Sequence, residues 1–166
     1  MGDYFWGFFF IILGVVFSIP YLVIKIVEWI YQDNPITVEE LVIPKKKFVK
    51  LILIWCSQNL GHNEQSPDLK IYYYFNKKWG GLYNYRNRQI TLYIPKWLTL
   101  NDLTKNVIHE YVHYLQIVKP VDDAMYNKHT QEVGYWDNPY EVAARRLAEK
   151  YHNTCLDWVL GKSVRN

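Results

Sequence analysis

From Asn101 to Val118 the chain runs without a glycine or proline, and Pro120 ends the run. Thr99-Leu100-Asn101-Asp102 reads as a helix start, with Asn101 as N-cap and an acidic residue in the first turn. Projected at about 100° per residue, Thr104, Ile108, Tyr111, Val112, Leu115 and Val118 fall on one side. Asn106, His109, His113 and Gln116 fall on another, with Glu110 at its edge. Such a helix packs one face into a core and turns the other to a cleft. Whatever else the chain forms must be arranged around it.

The cleft face carries His109-Glu110-Tyr111-Val112-His113, an HExxH motif. Residues four apart on a helix stack, so both imidazoles can reach one metal ion, with Glu110 beside a water bound to it. That is the ligand and base arrangement of zinc-dependent hydrolases. The plainer alternative is two histidines on a partly exposed helix with an incidental glutamate between them.

A catalytic zinc site takes a third protein ligand and leaves one position for water. A histidine in the metzincin spacing would fall at Lys119, which cannot ligate. Glu141 is the better candidate, in a second helix that Asn138 caps and Pro139 begins. Asn138-x-x-Glu141 is also a capping-box pattern, and Glu141 could pair with Arg145 four residues on. Glu132, Asp137 and His129 are the remaining ligand candidates.

HExxH followed by a glutamate on a later helix resembles the gluzincin metallopeptidases. The stretch from Glu141 through Ala144 to Leu147 and Ala148 is similar to the ligand helix of small ImmA/IrrE-like and minigluzincin-type members. The likeness spans roughly Gly80 to Tyr151. It implies a zincin fold, a zinc ion bound by His109, His113 and Glu141, and Glu110 as general base. Larger gluzincins often carry an aspartate four residues after the ligand glutamate to orient a zinc-bound histidine; here Arg145 stands there. Ligating histidines need such a partner, so another carboxylate or a backbone carbonyl must serve.

The first 33 residues impose a different constraint. Tyr4 to Ile24 is charge-free and predominantly apolar, long enough at about 1.5 Å per residue to cross a hydrocarbon core of about 30 Å. Tyr4 and Trp6 flank one end, Trp29 and Tyr31 the other, as interfacial anchors do. No basic residue precedes the run and no cleavage-type region follows it, which favours a single-pass anchor over a signal peptide or a buried soluble helix. Lys25, Lys45–Lys47 and Lys50 follow the span, so the positive-inside tendency puts residues 34–166 in the cytoplasm. Net charge is only +3, and the basic residues are dispersed apart from Lys45–Lys47, which gives nucleic-acid binding little support. Cys56 and Cys155 lack metal spacing and fit a reduced compartment.

Within residues 34–166 the pattern predicts a helix over 46–60 and strands over 70–75, 82–85 and 89–94. The motif helix, a connecting loop and the ligand helix complete it. The expected architecture is α+β: a compact zincin-like domain with a small antiparallel sheet, preceded by one transmembrane helix. The resemblance further implies a peptide substrate added as a strand to the cleft-side sheet edge. His129, Tyr135 and Tyr140 are candidates for stabilising the oxyanion, each with a surface role as its alternative. The expected function is membrane-anchored, zinc-dependent peptide hydrolysis; the rival is a non-catalytic protein that keeps the groove to bind a peptide or partner.

Overall fold

The computed structural model of the chain describes residues 36–76 and 80–163. The expected anchor over residues 1–33 lies outside them. No helix among the described residues is long and apolar enough to cross a membrane.

The described chain is α+β, with four helices and one three-stranded sheet. Helix α1 (Lys45–Asn59) turns Phe48, Val49, Ile52, Trp55 and Cys56 inward at helical spacing. Strands β1 (Asp68–Tyr72), β2 (Gly81–Asn84) and β3 (Gln89–Tyr93) follow, then the motif helix α2 (Leu100–Gln116). Two more helices, α3 (Pro120–Val133) and α4 (Pro139–Ser163), complete the order. The core lies where α1, α2 and α4 meet the inner face of β3, whose Ile90 and Leu92 are fully buried.

Helix α2 is more deeply placed than an amphipathic surface helix. Ten of its 17 residues are buried, including Glu110, Tyr111, His113 and Tyr114. Its N-cap is Thr99, two residues before the expected Asn101, and the Thr99 Oγ1 accepts the Asp102 N–H at 3.0 Å. A bridge between Thr37 and Thr99 ties this end to the start of the described chain. At the far end Val118 is exposed, so the apolar face stops short of where periodicity carried it.

Two expectations need correction. The sheet is mixed rather than antiparallel, with order β1-β3-β2; β2 pairs antiparallel with β3, but β1 pairs parallel with it. The turn after Asn84 sends the chain straight back, with Arg88 in the left-handed region at φ 50°. The longer connection from Tyr72 to Gly81 leaves room for a crossover, and the most apolar strand takes the centre. Strand β1 therefore ends at Tyr72, leaving Tyr73, Tyr74 and Phe75 exposed. The second correction is α3, which occupies most of the expected loop. Pro120 stands in its first turn, the Asp122 carboxylate accepts the backbone N–H of Lys119 at 2.8 Å, and Gly134 ends it at φ 83°.

Candidate metal centre

One turn of α2 carries both imidazoles inward. The Nε2 atoms of His109 and His113 are 3.0 Å apart. Glu141 comes from the first turn of α4, its side chain almost fully buried. Its two carboxylate oxygens divide between the histidines: Oε2 lies 3.2 Å from His109 Nε2, and Oε1 lies 3.2 Å from His113 Nε2.

Asn138 does the capping itself. Its side-chain oxygen accepts the Tyr140 N–H at 3.0 Å and its carbonyl accepts the Val142 N–H at 2.9 Å. The Glu141 carboxylate is thereby free to turn toward α2. Arg145 Nη1 stands 3.8 Å from Glu141 Oε2, too far for a hydrogen bond.

Among the described residues, His109, His113 and Glu141 form the group of histidine, cysteine and carboxylate donors close enough to share an ion. Glu132 is exposed and sits near Lys128 and His129 at 3.7 and 3.8 Å; Asp137 is also exposed. Taken one donor atom per residue, the three lie within 4.8 Å of one another, near enough for one ion to gather. Spokes of about 2.0–2.1 Å put neighbouring ligand atoms about 3.3 Å apart. Glu141 Oε2 is buried and accepts no aligned hydrogen bond, a costly state for a carboxylate unless a cation meets it. The residues present fit zinc.

Protonation is arranged to match. Gln116, one turn beyond His113, donates its amide N–H to the Tyr140 carbonyl, which aims its Oε1 at His113 Nδ1, 3.2 Å away. An acceptor there favours the proton on Nδ1, the tautomer in which a bound cation would find the Nε2 lone pair. The orienting partner of His113 is therefore an amide oxygen on its own helix. Burial opposes ionisation of Glu141, but the His109 and His113 imidazoles 3.2 Å away and the Tyr126 hydroxyl outweigh it and hold the carboxyl well below the usual carboxylate range. Burial also opposes the charged form of His113, yet Glu141 and Glu110 hold it above its ordinary value.

Comparison of the chain with protein-family models, with curated proteins and with solved structures finds no match.

Glu110 lies beside the three donors and is 6% exposed. Burial pushes its carboxyl up to about 7, with His113 lowering and Glu141 raising it further. The Tyr83 backbone N–H donates to it from β2. That strand can approach so closely because of glycine: a Cβ at Gly81 would stand 2.6 Å from Glu110 Cγ and 2.8 Å from its Oε1. A Cβ at Gly80 would meet the Asn106 Nδ2 at 2.8 Å. Gly in a strand marks such close backbone approach.

Two tyrosines close the other side. Tyr126, from α3, donates its hydroxyl to Glu141 Oε1 at 2.7 Å. Burial and the Glu141 carboxylate together hold both the Tyr126 and the Tyr135 hydroxyls well above the normal tyrosine range, so both remain donors. Tyr135 borders the open groove on either side of His109 and Glu110. Of the three oxyanion candidates it is the one so placed; His129 and Tyr140 sit together nearby, their rings 6.1 Å apart. Tyr126 carried no sequence signal, since α3 has no buried face to reveal it.

Proposed function

We propose that this chain is a zinc-dependent peptidase of gluzincin type with a zincin-like fold. The observation that carries the reading is the His109–His113–Glu141 donor triangle with Glu110 beside it, buried and poised near neutrality. A zinc ion held there supplies Lewis-acid polarisation of the scissile carbonyl and lowers the pKa of a water toward about 7.

The remaining work belongs to the protein. Glu110, buried beside the donors, takes a proton from the attacking water and hands it to the leaving amine. Tyr135, whose raised pKa keeps its proton, turns its hydroxyl from Glu141 to the developing oxyanion. Strand β2 is a sheet edge, with β3 on its other side. The bond from the Tyr93 N–H to the Gly80 carbonyl sets the alternation, so the backbone groups of Gly81 and the Tyr83 carbonyl turn to the open edge, while the Tyr83 N–H on that side is taken by Glu110. An extended peptide paired there would run past Glu110, the strand addition that the resemblance implied for a cleft-side edge.

Residues 1–33 serve in this reading as a single-pass anchor, with the catalytic domain on the cytoplasmic side, since basic residues follow the apolar run and none precedes it. The open β2 edge also suits a non-catalytic peptide-binding protein, so the decisive comparison is between the parent and Glu110→Gln. Both should hold stoichiometric zinc, and a peptide library should be cut by the parent alone. Zinc in both with hydrolysis in neither would establish the binding protein instead.

A further inference from the structure

The groove on either side of the metal centre is chemically lopsided. One arm, about 650 Å³, is bordered by Lys105, Arg145 and Arg146 as well as by His109 and Glu110. The space of about 200 Å³ that holds the donors His109, His113 and Glu141 continues into an opposite arm bordered by Leu82, Ile117, Tyr126 and Asp123. Beyond Glu110 the first arm has a single carboxylate, Glu149, which pairs with Lys105 at 2.8 Å. Three cations against the two carboxylates Glu110 and Glu149 leave that arm with a positive balance.

The three cations are not equivalent. Arg145 is fixed: its guanidinium lies 5.1 Å from the Trp136 ring centre and donates to the Trp136 carbonyl. It contributes a positive field with little freedom to move. Arg146, next on α4, is exposed and lies along the arm. A planar guanidinium with several donors binds a carboxylate bidentately. Lys105 supplies a second charge across the arm, from α2.

We propose that the cationic arm receives a carboxylate of the peptide, with Arg146 and Lys105 as its contacts, while the narrower arm takes an apolar or aromatic residue. This rests on the peptide-groove reading above. Attraction at one end is joined by repulsion at the other, because Asp123 disfavours an acidic residue in the apolar arm. A carboxylate can come from an aspartate or glutamate side chain or from a free peptide C-terminus; the chemistry recognised is the same.

The test uses the full-length, zinc-loaded protein in detergent and a neutral peptide series with Glu, Gln or Lys at each position around the cleaved bond. Each peptide carries either a free C-terminal carboxylate or a carboxamide. At one position Glu should exceed Gln in kcat/KM by about fivefold, the scale of one good exposed ion pair, with Lys poorest. High salt should shrink the difference. If the terminus is the carboxylate recognised, amidation rather than the internal residue should abolish the preference. Arg146→Glu should invert the order at that position, making Lys the best. The same series titrated against Glu110→Gln protein by fluorescence anisotropy reads affinity without turnover. Equal rates and affinities across the series, or a preference that survives Arg146→Glu, would overturn the acidic selectivity while leaving the peptidase intact. Acidic peptides bound selectively by Glu110→Gln but cut by no form would keep the selectivity and remove the peptidase.

Discussion

Gly81 lies against Glu110 so closely that a methyl group at position 81 would overlap the glutamate side chain, 2.6 Å from Cγ. The strand edge and the general base are thus set by one contact. Gly81→Ala should push Glu110 aside, or β2 away from α2, at an overpacking cost of about 1–3 kcal/mol. Zinc binding should survive, because the three atoms nearest a Cβ at position 81 all belong to Glu110, not to a donor. Hydrolysis should fall at least about 100-fold, since small misplacements of a base weigh heavily. A variant with full activity would mean that β2 is not held against Glu110.

Glu110 should cost the fold stability. Its carboxyl is raised to about 7 in the folded protein, chiefly by burial, and is near 4.3 when unfolded. Between those values the folded state binds the extra proton, so metal-free protein loses stability as pH rises from about 4.3 to 7. Glu110→Gln removes the charge that must be buried. Above pH 7 the metal-free variant should be more stable than the parent by up to about 3 kcal/mol. Urea melts of both proteins at pH 5 and pH 8 measure this. Parallel pH slopes would show that the parent carboxyl keeps its solvent.

Glu141→Gln separates metal ligation from a merely structural carboxylate. A neutral amide is a poorer ligand, so zinc affinity should fall more than the 10–100-fold typical of losing an outer-shell partner. Gln116→Leu, which strips the orienting acceptor from His113, should fall within that smaller range. Competition with a chelator at fixed pH gives both values, with His109→Ala as the reference for a lost ligand. If Glu141→Gln binds zinc like the parent, the donor triangle is not a metal site.

How much of this was legible depended on whether a residue's role was local. The motif helix and the helix begun by Pro139 announced themselves through uninterrupted runs, caps and an i,i+4 histidine pair, and those two elements carry the whole donor set. Gln116 fell on the histidine face in projection, though its bond to His113 needed the Tyr140 carbonyl from another helix to set the amide. Helix α3 escaped because none of its residues is buried, so no apolar period marked it; only Pro120 and Gly134 did. The side of β3 taken by β1 is decided by a long connection, which leaves no local trace. Tyr126 reaches Glu141 across 15 positions of sequence, and no spacing rule relates them.

Metal binding can also be read with no activity assay, from the two cysteines. Cys56 and Cys155 are fully buried, on α1 and α4, and both are free. Burial pushes the Cys155 thiol up to about 12 and the Cys56 thiol higher still, the latter helped by its neighbour Cys155. Since the thiolate is the reactive form, alkylation at pH 8 should await opening of the core. Helix α4 carries Glu141 as well as Cys155, so ligating zinc should hold closed the packing that shields both thiols. Zinc at about 100 times its dissociation constant stabilises the folded state by about 2.7 kcal/mol, which should slow iodoacetamide labelling about 100-fold. Chelation should restore the rate, and Glu141→Gln protein should show no protection at the same zinc concentration. Mass spectrometry of timed samples counts modified cysteines directly. Rapid native labelling would contradict the buried α1–α4 packing. Slow labelling that zinc leaves unchanged in the parent would instead contradict a zinc site joining α2 to α4.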